Sequence, residues 1–267
     1  MKQPILDPSW HESWKYSFQY DLVEIYGSKQ HLDHAYAYQN RMQHVLDMIQ
    51  SIAALGAKIL DVAAAQGNFS LLLAEQGYEV TWNDLREELV GYVQLKYQSG
   101  TIHFASGDVF SLNFEDHFDI VLITEIIEHV AHPDDFLRKI SQLIKPGGFI
   151  VMTTPNGEYF RNNLPRFSEC ADPSIFESVQ FKPNADGHIF LLYLDEIEKL
   201  ADTANLLVSE VRFFNNPLTN GYLKLESILQ KIPLNWVYRL EALTNTLPSS
   251  AKRKLHTSMA VLFSRCE

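Results

Sequence analysis

Between Lys58 and Thr153, short apolar runs alternate with segments of helical spacing. Lys58-Ile59-Leu60-Asp61-Val62 predicts a strand, and Phe69 to Gln76 a helix that Gly77 closes at its C′ position. Tyr78 to Trp82 predicts a second strand, Glu87 to Tyr97 a helix, and Ile102 to Ala105 a third short strand. Phe118 to Ile123 is an apolar run of the kind found in a central parallel strand. A helix over Pro133 to Leu143 then stops at Lys145-Pro146-Gly147-Gly148, and Phe149 to Thr153 forms the next strand. This alternation predicts an α/β fold with a doubly wound, mostly parallel sheet.

The flanks follow other rhythms. Residues 1–40 are rich in aromatics and His (Trp10, His11, Trp14, Tyr16) with no clean period, and they read as an N-terminal helical cover. Arg41 to Ile52 has helical spacing and opens the main domain, 41–267. Residues 156–187, with scattered Pro, Asn and Asp, are long for a connection and predict a functional loop or lid. Leu194 to Leu206 reads as a helix, Leu207 to Phe214 as a strand, and His256 to Phe263 as a terminal strand. Tyr222 to Leu247 reads as an inserted helical pair interrupted by Pro233. Its apolar surface would cover an acceptor site, form a homodimer interface or rest on a membrane.

Composition narrows the function classes. Hydrophobic residues make up 46% and charged residues 21%, an ordinary soluble balance. A net charge of −11 argues against nucleic acid as a partner, since Lys252-Arg253-Lys254 is the one short basic cluster. Cys170 and Cys266 form neither a disulfide framework nor a zinc pattern. Met1-Lys2-Gln3-Pro4 opens no apolar leader, and no stretch of 18 apolar residues occurs. The expectation is a reducing, cytoplasmic setting without a membrane span.

Chemistry is concentrated at the strand ends. Asp61-Val62-Ala63-Ala64-Ala65-Gln66-Gly67-Asn68-Phe69 follows a strand and opens a helix, the place where a nucleotide-type cofactor binds an open α/β sheet. Asp84 closes the next strand, where an acid would hold ribose hydroxyls. Gly107-Asp108-Val109 could set a carboxylate beside an adenine amino group, with Val109 against the ring. These blocks, with Phe118 to Glu125 and Leu143 to Ile150, resemble the class I S-adenosylmethionine (SAM)-dependent methyltransferase family over residues 58–155.

The resemblance implies a Rossmann-like seven-stranded sheet with an antiparallel C-terminal strand. It also implies SAM as cofactor, held by Asp61, Ala63, Ala65, Gly67, Asp84, Leu85, Asp108, Val109 and Thr124. The family's first motif usually reads D-x-G-x-G-x-G, but here Ala63 and Ala65 replace two glycines and Gly67 remains. Either the backbone avoids positive φ at these alanines, or cofactor binding is weakened. Because Asp61, Asp84, Asp108 and the Lys-Pro-Gly-Gly turn all stand, retained binding is the expectation.

Glu125-Ile126-Ile127-Glu128-His129-Val130 follows the central strand at the edge where ligands bind. If it turns helically, Glu125, Glu128 and His129 share one face. Such a cluster can bind a divalent metal (Mg, Mn, Fe or Zn), or a His can act as general base. With Thr153-Thr154-Pro155-Asn156, the block is similar to a subgroup of O-methyltransferases. That subgroup includes ubiquinone-pathway and saccharide enzymes and metal-dependent small-RNA 3′-terminal 2′-O-methyltransferases. By this resemblance Glu125, Glu128, His129 and His188 would be metal ligands, or His129, His188 and Glu125 catalytic residues. A structural role for each is the competing reading.

The function that follows is O-methylation of a hydroxyl on a small-molecule or saccharide acceptor. RNA 2′-O-methylation, N-methylation and a non-catalytic SAM-binding scaffold are the alternatives. An NAD(P) oxidoreductase would keep a G-x-G-x-x-G, which Ala63-Ala64-Ala65-Gln66-Gly67 does not supply. The N-terminal aromatics would either pack or line the acceptor pocket. Arg41 would either meet the cofactor carboxylate or sit at a solvated helix start, and Trp82 would lie near adenosine or in the core.

Overall fold

The computed structural model describes the chain except residues 29, 116, 181–186, 220–222, 224 and 267, and the backbone alone at Glu226 and Leu234. Seven strands form one sheet: β1 (Lys58–Val62), β2 (Glu79–Asp84), β3 (Thr101–Ser106), β4 (Phe118–Thr124), β5 (Ile144–Pro155), β6 (Leu206–Phe214) and β7 (Ser258–Arg265). Their order is β3-β2-β1-β4-β5-β7-β6. β1 lies parallel between β2 and β4, with Leu60 opposite Thr81 on one side and Val121 on the other. β7 runs antiparallel to β5 and β6, pairing Leu262 with Val151 and Val261 with Val211. The strand order reverses between β1 and β4, so a crevice opens beyond the carboxyl ends of these two strands.

The apolar runs form strands because both faces are covered. Ile59, Leu60, Ile120, Val121, Leu122 and Ile123 are all fully buried. One face packs against α2 (Leu32–Ile52) and α3 (Asn68–Glu75), the other against α5 (Pro133–Ser141) and α6 (Leu194–Thr203). α4 (Leu89–Lys96) lies outside β2 and buries Leu89 and Val93 beside Trp82. Trp82 therefore has the core role, with its indole N–H donating to the Ala65 carbonyl at 3.1 Å.

Two boundaries differ from the sequence reading. α2 runs unbroken from Leu32 to Ile52, so a border between residues 40 and 41 would cut a helix. β5 begins at Ile144 and takes in Lys145-Pro146-Gly147-Gly148, with an irregular register between Phe118 and Ile120 absorbing the turn. The expected helix start at Tyr222 lies outside the described residues; beyond it stand α7 (Glu226–Leu229), α8 (Leu234–Asn245) and α9 (Ser249–Leu255). Pro233 is the N-cap of α8, where its missing N–H costs nothing.

The N-terminal cover is α1 (Glu12–Glu24) with the first turns of α2. Its two tryptophans pack against α4, while Tyr16 and Tyr20 are exposed. The rings of Trp10 and Trp14 lie 5.9 and 6.2 Å from that of Tyr92 on α4. Gly91 makes room for this, since a Cβ there would stand 2.5 Å from the Trp14 ring. Among the described residues, no helix is long and apolar enough to cross a membrane.

Candidate active site

The loop from β1 to α3 takes the winding that glycines usually permit. Ala63, Ala65 and Gly67 have φ of 51°, 46° and 71°. Of the two readings left open by the sequence, the one in which the backbone avoids positive φ at the alanines does not hold. Backbone anchors enforce the winding: Ala64 N–H donates to Asn83 O at 2.8 Å, and Gly67 N–H to Ala64 O at 2.8 Å. Each alanine then costs about 1 kcal/mol in left-handed strain. Gly67 has no such latitude, because a Cβ there would lie 2.9 Å from Val93 and 3.3 Å from the Trp82 ring.

Asp61 ends β1 almost wholly buried. Ser70 Oγ donates to its Oδ2 at 2.5 Å, and its Oδ1 is buried without a hydrogen-bond partner. Burial, helped by the nearby charge of Asp84 and opposed by Ser70, pushes the Asp61 carboxyl up to about 7. Asp84, at the end of β2, takes the Ala65 N–H at 2.9 Å and the side chain of Arg86. Asp108 is exposed and capped locally, by Phe110 N–H at 3.1 Å and Ser111 Oγ at 2.7 Å. Val109 is buried beside it, Leu85 is exposed, and Thr124 is half-buried at the end of β4. Every residue expected at the cofactor site thus lies at the carboxyl edge of the sheet, on β1 to β4 or the loops that follow them.

The Glu-x-x-Glu-His segment does not form an α-helical face. Glu125 leaves β4 in a left-handed conformation, φ 53°, and Ile127–His129 is one turn of 3-10 helix. The two carboxylates take different partners. Glu125 reaches Arg41 of α2, with Nη1 to Oε2 at 3.1 Å. Arg41 is thus neither at a helix start nor solvated; it is mid-helix, over the Tyr38 ring at 5.0 Å.

Glu128 turns inward and is fully buried; Thr154 Oγ1 donates to its Oε2 at 3.1 Å, and its Oε1 has no partner. Burial, then the charge of Glu125, holds its carboxyl well above the usual range.

The Glu128 carbonyl also accepts the Ile189 N–H at 2.7 Å, and this bond brings His188 to the site. The His129 and His188 rings stand edge to face, 5.0 Å between centroids. Burial, and then His129, lower the pKa of His188. Ligand atoms of Glu128, His129 and His188 lie within 4.8 Å of one another. Of the four expected ligands, Glu128, His129 and His188 are brought together among the described residues, while Glu125 pairs with Arg41. The 156–187 loop borders this cluster, Gln180 Oε1 accepting the Ala131 N–H at 3.0 Å, while its residues 181–186 lie outside the described residues.

Sequence reasoning missed a buried ionic network under the cofactor loop. Lys96 Nζ, fully buried, donates to Asp21 Oδ2 at 2.6 Å, to Gln66 O at 2.9 Å and to Asn68 Oδ1. Asp21 also accepts from Tyr92 Oη at 2.7 Å. Glu24 holds the Gln66 amide at 3.0 Å. The one available signal was position: Lys96 falls three and four residues after the buried Val93 and Tyr92, on the inner face of α4.

A methyltransferase-domain family model matches residues 33–211, and the chain belongs to that family. It is a class I SAM-dependent methyltransferase. The methyltransferase is 33% identical over 138 residues to the ubiquinone biosynthesis O-methyltransferase of Azoarcus sp., a match covering 45% of this chain and 59% of that enzyme. It is 29% identical over 204 residues to the enzyme of the same name from Nitrosospira multiformis, covering 70% and 77%. Its fold resembles N-methyltransferase NodS of Bradyrhizobium japonicum bound to S-adenosylhomocysteine (SAH; TM-score 0.53, 14% identity, 96% and 100% covered). It also resembles the Haemonchus contortus phosphoethanolamine N-methyltransferase 2 bound to SAM (TM-score 0.56, 16% identity, 98% and 62% covered). The chemistry of the crevice fits the cofactor: Asp61 Oδ1, Glu125 Oε1 and Arg41 Nε are buried and unpartnered, two acceptors and a donor suited to an ammonium and a carboxylate.

Proposed function

We propose that this methyltransferase methylates a hydroxyl oxygen of a small-molecule or saccharide acceptor, with His188 as general base. The observation that carries this reading is the His129–His188 pair at the carboxyl edge, with His188 half-buried and its pKa lowered. A histidine kept neutral near pH 7 can take a proton, and its neighbour His129 helps to keep it neutral. The relatives named ubiquinone biosynthesis O-methyltransferase support oxygen as the acceptor atom.

In this reading Arg41 meets the cofactor carboxylate, Asp61 its ammonium, Asp84 the ribose and Asp108 the adenine amino group. Ala63, Ala65 and Gly67 form the floor of the loop, and Leu85, Val109 and Thr124 flank the rings. When bound, SAM supplies an electrophilic methyl group on a positive sulfur. The protein supplies alignment and proton removal. During methyl transfer a ring nitrogen of His188 would take the proton of the acceptor hydroxyl. The two free cysteines and the lack of a spanning helix among the described residues suit a cytoplasmic setting.

Transfer of labelled methyl from SAM to a panel of phenols and sugars tests the reading. The expected result is turnover that His188→Asn lowers by about 100-fold or more. Turnover unchanged by that substitution removes His188 as base, and no turnover with any acceptor favours a binding scaffold.

A second reading has its own observation. Glu128, His129 and His188 could hold a divalent metal once Glu128 gives up its proton, with an open position for the acceptor oxygen. Activity insensitive to chelator and to added Mg, Mn or Zn excludes it. Efficient methylation of a small RNA would instead favour the RNA reading.

A further inference from the structure

Asp84 is saturated. Its Oδ1 accepts from Arg86 N at 2.9 Å and from Arg86 Nε at 2.9 Å. Its Oδ2 accepts from Ala65 N at 2.9 Å and from Arg86 Nη2 at 3.1 Å. A carboxylate offers about four lone-pair sites, so no acceptor position is left on it. The two backbone donors are fixed, one by the β1–α3 loop and one by the turn that opens α4. The two guanidinium donors belong to a side chain that is 47% exposed.

We propose that the Arg86 guanidinium is a built-in competitor of the cofactor ribose for Asp84, and so limits how tightly the enzyme holds SAM and its product. The inference rests on Asp84 as the ribose acid. Two ribose hydroxyls need two acceptor positions, and the bidentate fork of Arg86 covers two. Binding then requires the fork to leave, which transfers one charged contact from the protein to water. Arg86 is half-exposed while Asp84 is buried, so salt screens the penalty only in part. The chemical consequence is faster exchange of SAH for SAM.

Calorimetric titration of SAH into wild type, Arg86→Ala, Arg86→Lys and Asp84→Asn decides the point. Arg86→Ala is expected to bind about two- to five-fold tighter than wild type, with the gain shrinking at high salt. Arg86→Lys, which keeps the charge and loses the fork, falls between them. The gain should appear with adenosine and vanish with 2′,3′-dideoxyadenosine, which lacks the competing hydroxyls. Equal or weaker binding by Arg86→Ala, while Asp84→Asn still costs affinity, overturns the competition alone. Asp84→Asn binding as well as wild type overturns the ribose assignment beneath it. Circular dichroism of each variant separates either result from misfolding.

Discussion

Arg41 Nη1 stands 3.1 Å from Glu125 Oε2, joining the middle of α2 to the residue at which β4 leaves the sheet. Each partner keeps one further polar atom buried and unpartnered, Arg41 Nε and Glu125 Oε1. The pair fixes the guanidinium of Arg41, so a cofactor carboxylate arriving beside it would find its donor already in place.

Arg41→Ala is therefore expected to weaken SAH binding by about tenfold or more, since it removes a buried charge-assisted donor. Arg41→Lys should recover only part of this, because an ammonium cannot reproduce the planar fork. Titration calorimetry measures both. Wild-type affinity in Arg41→Ala would place the cofactor carboxylate elsewhere.

Asp61 gives cofactor binding a pH dependence. In the free protein its carboxyl is raised to about 7 from an ordinary 3.8, mainly by burial. A cofactor ammonium beside it favours the charged form, so binding should release a proton and tighten from pH 6 to pH 8. Asp61→Asn should abolish that slope. For the free protein the sign is opposite: the unfolded chain ionises above 3.8 while the folded one stays protonated to about 7. Stability is thus lost across that window as pH rises, and urea titrations at several pH values should show it.

For His188 the shift is downward, by burial first and His129 second, from an ordinary 6.5. A general base must be neutral, so the acid limb of kcat should lie below pH 6.5. His129→Asn removes the neighbouring charge and should move the limb upward. A limb that stays fixed would assign it to another group.

The alanines of the loop predict stabilising substitutions. Ala63→Gly and Ala65→Gly each relieve a left-handed alanine, worth about 1 kcal/mol and about 2–4 °C in Tm for a chain of this size. Thermal unfolding of the single and double variants checks this, and the effects should add.

Lys96→Met should cost about 3–5 kcal/mol, because Asp21 would remain buried without its cation. The double variant Asp21→Asn with Lys96→Met should recover part of the loss. Urea unfolding of the three variants reads the coupling.

Much of the sheet was legible because period and burial agree. Lys58–Val62 was bounded correctly from its apolar run, and Phe118 to Ile123 within one residue. Glu128, His129 and His188 were named from motif and spacing, and the fold brings their ligand atoms within 4.8 Å. What failed was conformation at single residues. Nothing in Glu125 announces φ 53°, because its partners Arg41 and Thr153 are distant in the chain. Ala63 and Ala65 were read as uncertain because alanine seldom winds left-handed, yet the hydrogen bonds of the neighbouring strand impose it. Asp21 was illegible, as α1 has no apolar period to mark an inner face.

The buried Lys96 ammonium also has a practical meaning for anyone trimming this protein. The recognisable family match begins at residue 33, which invites an expression boundary close to it. A chain cut there would discard Asp21 with α1 and leave Lys96, beneath the β1–α3 loop, without its counter-ion. Such a fragment should aggregate or fail to bind SAH. The smallest piece worth expressing begins before α1, well upstream of the segment by which the enzyme is recognised.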